Sequence, residues 1–186
     1  MCKETIKKME WYTSWVRENI IVSSFIQFLI LGTLGEVLGM VISRKQVSSN
    51  VLEWLFKAVV WGLLGIVIKY AFRGYVGFVN SLVEYHMLPA VFGPQTKSIV
   101  LRAFALSFFM NAQFGPALMF IHRTTDNLIM RTKGYAGIDK SLWTLLWFWL
   151  PAHTITFSLP GDYQIGVAAL LSVALGIIMG YTKRRS

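Results

Sequence analysis

A single carboxylate lies inside the first strongly apolar stretch of this sequence. Glu36 falls within residues 20–43, which read IIVSSFIQFLILGTLGEVLGMVIS. The stretch is long enough to cross a bilayer, because a helix of about 20 apolar residues spans the hydrocarbon core. A carboxylate that faced lipid would be strongly unfavourable. We therefore expect Glu36 to face protein or water and to have a polar or cationic partner elsewhere in the chain.

Three glycines share the helical face of Glu36. Gly32, Gly35 and Gly39 recur at a spacing that places them on one narrow stripe of a helix. Glycines allow the backbone of another helix to come close, and Gly35-xxx-Gly39 is a small-xxx-small contact pattern. The pattern predicts that the first span packs against further spans in a helical bundle.

Polar side chains that are candidates to partner Glu36 recur in two later apolar stretches. They are Lys69 and Arg73 in a helix predicted over residues 54–83, and Arg102, Asn111 and Gln113 in one predicted over residues 98–122. Arg102 and Gln113 share a face of their helix, and Asn111 points elsewhere. A short turn joins the first two spans, so the sequence predicts an ion pair of Glu36 with Lys69 or Arg73.

The balance of these charges predicts which solutes a pore through the bundle would prefer. If Glu36 and the three cations line one cavity, that cavity is net positive and favours anionic or polar small solutes over cations. Glu36 would then gate or order a pore, and the cations would set its preference. The alternative is that Arg73 and Arg102 reach lipid phosphates and that no cavity exists.

The apolar stretches predict five spans preceded by an amphipathic segment. The spans are residues 20–43, 54–83, 98–122, 141–159 and 163–181. Residues 1–19 combine mixed charges with clustered aromatics, which is typical of a helix at the membrane interface. Three prolines mark bends or breaks: Pro116 in the third span, Pro151 in the fourth and Pro160 before the fifth. The predicted fold is an all-α polytopic bundle over residues 20–186 with an interfacial helix over 1–19. The break at Pro151 leaves open whether residues 141–159 cross fully.

The composition is that of a membrane protein. Of 186 residues, 55% are hydrophobic, and the apolar runs are longer than those of a soluble domain of this size. The net charge of +9 is dispersed, so it indicates membrane topology and lipid phosphate contact and argues against nucleic-acid binding. The lone Cys2 excludes an internal disulfide or a cysteine metal site. Since catalytic and nucleotide-binding motifs are absent, we predict no enzyme activity, no cofactor and no metal.

The distribution of Lys and Arg predicts an orientation. With five spans, the turn after the first span, the loop after the third and the C-terminus carry most of these cations. The positive-inside rule then places the C-terminus on the cytoplasmic-type side.

Four groups of residues occur in the order of a known family. They are Trp11 followed by Leu31-Gly32-Thr33-Leu34-Gly35-Glu36; Gly74 and Pro89; Asn111-Ala112-Gln113-Phe114-Gly115-Pro116; and Trp147-x-x-Leu150-Pro151…Phe157…Pro160…Tyr163. Together they resemble the peroxisomal and mitochondrial inner-membrane family of Mpv-seventeen, Sym-one and PMP-twenty-two, with Glu36 at the family's acidic position. The resemblance implies a small multi-pass protein of four or more spans that forms, or contributes to, a pore for small metabolites.

The sequence thus predicts a membrane pore or facilitator for small hydrophilic, anionic solutes. The alternative is a non-transporting scaffold, or a protein that binds lipid or a small molecule. The predicted partners are the bilayer, such a solute and a second copy of the chain, because the small-residue faces of the first and fifth spans could pack between chains as well as within one. The predicted location is the cell membrane in a prokaryote, or the mitochondrial inner or peroxisomal membrane in a eukaryote.

Overall fold

The fold is all-helical, as predicted. A computed structural model describes residues 2–185, with the side chains of residues 9–182 and of Arg184. The helices are α1 (Cys2–Glu18), α2 (Ile20–Ile42), α3 (Val51–Glu84), α4 (Ile99–Ile129), α5 (Ile138–Thr144), α6 (Leu150–Phe157) and α7 (Gly161–Arg185). A 3-10 turn covers Ala90–Phe92, and a π-helical segment, Leu145–Trp149, joins α5 to α6.

Four of the helices are long and apolar enough to cross a membrane. Within residues 2–185 these are α2, α3, α4 and α7, the last of them as far as Thr182. The predicted fourth span is divided differently, into α5, the π-helical segment and α6. Pro151 lies in the first turn of α6, directly after the π-helical segment. The missing N–H of proline removes one backbone hydrogen bond, which fits a change of helical register at this point.

Two helices extend further than predicted because polar residues begin or continue them. Asn50 caps α3, and its side chain accepts a hydrogen bond from the Leu52 N–H at 3.0 Å. The α3 helix therefore begins at Val51. The α4 helix runs to Ile129, through the first residues of the loop predicted after the third span.

Glycine contacts fix how the central helices run. The α2 and α3 helices are antiparallel, and the position of Gly65 on α3 abuts Ser24 and Phe28 on α2. The α2 and α7 helices are parallel, since Gly35 abuts Ser172 and Gly39 abuts Gly176. The small-residue faces of the first and last spans thus pack together within one chain, which is one of the two uses that the sequence left open.

The segment between α4 and α7 returns the chain from one end of the bundle to the other. The α4 helix is antiparallel to α3, because Arg102 bonds Asn80 near one end and the ring of His122 contacts Trp61 near the other. The α4 helix therefore finishes beside the C-terminus of α2, whereas α7 begins at the opposite end of the bundle. Residues 138–157 run back along α4, with Leu145 against Gly115.

The α1 helix folds back against the bundle at Asn19. The Tyr12 hydroxyl donates to Oε1 of Gln27 at 2.9 Å, and Val16 is buried. Arg17 pairs with Asp162 at the start of α7, and this hydrogen bond raises the pKa of the Arg17 guanidinium. These contacts attach α1 to the end of the bundle where α2 and α7 begin; its place at a membrane interface stays a prediction.

Candidate functional site

Glu36 has a cationic partner, but it is Lys57. The Lys57 ammonium donates to Oε1 of Glu36, and the indole N–H of Trp61 donates to Oε2 at 3.0 Å. Only 7% of the Lys57 side chain and 16% of the Glu36 side chain are exposed. Lys57 also lies 5.1 Å from the centroid of the Trp54 ring, within the range of a cation–π contact.

This pair corrects the predicted pairing of Glu36 with Lys69 or Arg73. The α2 and α3 helices meet across a short turn, so residues equally far from that turn lie side by side. Lys57 is as far from the start of α3 as Glu36 is from the end of α2. Lys69 lies about 18 Å further along α3, given a rise of about 1.5 Å per residue, which is beyond the reach of the two side chains.

The end of α4 adds two titratable side chains that sequence reasoning missed. His122 and Asp126 lie one turn apart, with Nε2 of His122 3.8 Å from Oδ2 of Asp126. One oxygen each of Glu36 and Asp126 and one ring nitrogen of His122 lie within 4.8 Å of one another. We call Glu36, Lys57, His122 and Asp126 the charged cluster. The i, i+4 spacing of His122 and Asp126 was the available signal, but these residues stand at or beyond the predicted end of the third span.

A cavity of about 250 Å³ extends from the charged cluster into the bundle. Its wall is formed by α2 to α7 together with the π-helical segment, and the side chains that line it are mostly aromatic or aliphatic. They include Phe28, Leu64, Phe114, Leu118, Leu145, Trp149 and Leu175. Glu36 and His122 line one end, and among the lining residues Glu36 is the one with a formal charge.

A second polar pair lies deeper in the cavity wall. The Asn111 amide donates to the Ser107 carbonyl at 2.8 Å and lies 3.2 Å from Nδ1 of His153. Ser107 in turn donates to the Leu150 carbonyl at 2.7 Å. Asn111, Ser107 and His153 are buried, so this network ties α4 to α6 next to the interruption at Pro151.

The remaining polar residues that were predicted for the site do not line the cavity. Lys69 is half-buried and Arg73 is exposed on α3. Arg102 donates to Oδ1 of Asn80 at 2.9 Å, and Gln113 accepts from the Tyr75 hydroxyl at 3.3 Å. Of the six polar residues singled out in the sequence, only Glu36 and Asn111 line the cavity. The structure therefore does not bring the three predicted cations together with Glu36, and the expected net-positive cavity is corrected.

The predicted packing residues lie where helices meet or turn. Gly32 receives the ring of Trp61, while Gly35 and Gly39 contact α7. Pro116 lies inside α4 without ending it, and Pro160 precedes the start of α7.

No protein-family model, no curated protein and no solved structure matches this chain. The resemblance to the family of Mpv-seventeen, Sym-one and PMP-twenty-two stays a prediction.

Proposed function

We propose that this chain is a multi-pass membrane protein that binds a small, largely apolar molecule in its central cavity. The observation that carries the proposal is the cavity itself, with a volume of about 250 Å³ and walls of aromatic and aliphatic side chains. An apolar cavity of about 150 Å³ already suffices for benzene. Ligand sites between the helices of bundles commonly combine such walls with a few polar groups.

The charged cluster favours an occupant with a polar group at one end. Glu36 and His122 offer hydrogen-bonding groups at the edge of the cavity, while Phe28, Leu64 and Leu175 offer none. A molecule with an apolar body and one polar group would match both parts of the wall. This form of the proposal is the small-molecule-binding alternative of the sequence analysis. No Lys or Arg is among the described residues that line the cavity, so the lining does not support the anionic solute predicted there.

The membrane topology that goes with this proposal has five crossings. Residues 138–157 would be about 30 Å long at about 1.5 Å per residue, which equals the thickness of the hydrocarbon core. They start where α4 ends and finish where α7 begins. The location in a cell, mitochondrial inner or peroxisomal membrane rests on the family resemblance.

A second candidate function, passage of a solute, is favoured by one observation. The cavity runs from Glu36 to the buried Asn111–His153 pair, so it covers part of a path through the bundle. At the far end Phe72, Phe157 and Ile165 are buried in contact within the core. A facilitator would need this packing to open. The π-helical segment Leu145–Trp149 contributes to the cavity wall, and such segments are frequent at functional sites.

Cysteine accessibility along α7 separates the binding cavity from an open pore. In a Cys2→Ser chain in liposomes, we expect Met179→Cys and Leu175→Cys to react with a water-soluble methanethiosulfonate, because these positions line the cavity near Glu36. Ala168→Cys lies at the deep end and should react much more slowly. Leu170→Cys, a control on the outer face with 56% exposure, should meet lipid and stay unreactive.

Two further cysteines mark the sides of the membrane in the same experiment. With five crossings, Lys133→Cys and Gly161→Cys should be labelled from opposite sides, and the reagent should reach Met179 from the side of Lys133. Labelling of both markers from one side would contradict the fifth crossing. Inert cysteines at Met179 and Leu175 would contradict an opening of the cavity to water, and rapid reaction of Ala168→Cys from both sides would favour the pore.

A further inference from the structure

We propose that Glu36, His122 and Asp126 bind one divalent transition-metal ion, and that the ion takes the place of the Lys57 ammonium beside Glu36. This site goes beyond the proposed binding of a small molecule, and it is independent of it. The sequence predicts no metal. The three residues are far apart in the chain, and they meet because Glu36 on α2 and His122 on α4 both contact Trp61 on α3.

The ligand types and their spacing suit such an ion. One carboxylate oxygen each of Glu36 and Asp126 and one ring nitrogen of His122 lie within 4.8 Å of one another. Shifts of under about 1 Å would place all three at the 2.0–2.2 Å that Zn²⁺ requires. One imidazole with two carboxylates is a mixed donor set suited to Zn²⁺, Mn²⁺ or Fe²⁺.

Among the described residues, the hydrogen bonds of the charged cluster leave one ring nitrogen of His122 without a partner. Glu36 and Asp126 contribute two negative charges and Lys57 one positive charge, and the neighbouring Arg123 guanidinium also acts on the Asp126 carboxylate. The carboxylate of Asp126 lies 3.8 Å from Nε2 of His122, which is too far for a hydrogen bond. Nδ1 of His122 is buried, and no described group donates to it or accepts from it. A metal ion would give one nitrogen of His122 a partner and would bind the carboxylates of Glu36 and Asp126 at the same time.

The cavity supplies the remaining coordination positions. Glu36 and His122 both line it, so water or the polar group of a bound molecule can reach an ion held between them. Protein ligands that leave positions open in this way are typical of metal sites that bind a further molecule.

Lys57 allows a second test of the proposal, because its ammonium bonds the same carboxylate, Glu36, that the ion would bind. Its ammonium neutralises Glu36, and it must move aside when the metal binds. Removal of Lys57 should therefore raise metal affinity, whereas a purely structural ion pair would give no metal binding with or without it.

Binding of Co²⁺ to the purified full chain tests the site. We expect one Co²⁺ per chain by isothermal titration, with a visible absorption band that reports coordination. Each of His122→Gln and Asp126→Asn should weaken binding by more than about tenfold, since loss of even an outer-sphere partner costs about 10–100-fold in other proteins. His86→Asn is the matched control, because His86 is an exposed histidine in a left-handed turn, remote from the cluster.

The Lys57→Met chain provides the second readout. We expect it to bind Co²⁺ at least about tenfold more tightly than the natural chain and to regain thermal stability when the metal is added, because the ion compensates the unpaired Glu36. Absence of Co²⁺ binding in both the natural chain and Lys57→Met would overturn the proposal. Binding that is unchanged in a folded His122→Gln chain would overturn it as well.

Discussion

Replacement of Lys57 by methionine is expected to lower the free energy of unfolding by about 3–5 kcal/mol, because it leaves a buried carboxylate without its partner. Both side chains of the pair are largely buried, so water cannot take over the role of the ammonium. Trp61 would remain as a donor to Glu36, but an indole N–H does not neutralise the charge. Unfolding in a graded series of SDS in mixed micelles, with a chelator present, measures the change.

A double-mutant cycle shows whether the loss belongs to the pair. Glu36→Gln combined with Lys57→Met should be clearly more stable than the sum of the single losses predicts, because the second change removes the unpaired charge. Lys69→Met is the matched control, and it should cost under about 1 kcal/mol because Lys69 is half-buried and does not reach Glu36. If the losses of unfolding free energy in Glu36→Gln and Lys57→Met simply add up in the double variant, the result would contradict the pair.

Replacement of Gly176 by alanine is expected to destabilise the bundle by about 1–3 kcal/mol, although alanine favours helix more than glycine does. A Cβ atom at this position would overlap the backbone carbonyl of Gly35 on α2. A carbonyl oxygen in a helix cannot swing away as a flexible side chain can. The two helices would have to separate, and the same unfolding assay would show the loss.

Gly74→Ala is the control for this prediction. Position 74 also lies inside a helix, but a Cβ there meets no described atom within 4 Å. The free energy of unfolding of the Gly74→Ala chain should stay the same or rise by up to about 1 kcal/mol, because alanine has the higher helix propensity. A Gly176→Ala chain as stable as Gly74→Ala would contradict the close packing of α2 and α7.

Much of the helical layout could be predicted because it depends on local patterns. The apolar runs define α2, α3, α4 and α7, and glycine spacing marks the contact face of α2. The different orientations of Asn111 and Gln113 also follow from helical periodicity, and the structure places Asn111 in the cavity wall and Gln113 outside it.

The partners of Glu36 could not be predicted in the same way, because polar residues near helix ends look like loop residues. Lys57 lies inside the helix predicted over residues 54–83, but the distribution of cations groups it with the turn after the first span, and the sequence does not single it out as a partner of Glu36. Asp126 lies in a polar stretch that continues α4, where Thr124 bonds the Phe120 carbonyl at 2.8 Å. A helix end that reaches past the apolar core need not be apolar, so hydropathy alone ends it too early.

The most direct measurement is native mass spectrometry of the chain extracted gently from its own membrane. The natural chain should carry a small non-protein molecule, and Leu118→Trp should lose it, because the larger side chain fills the cavity. Leu63→Trp is the matched control, since Leu63 is 52% exposed on the outer face, and it should retain the molecule. If the natural chain and Leu63→Trp retain the bound molecule and Leu118→Trp does not, the result would support the binding cavity. A natural chain without any bound molecule, or equal retention by a folded Leu118→Trp chain, would contradict it.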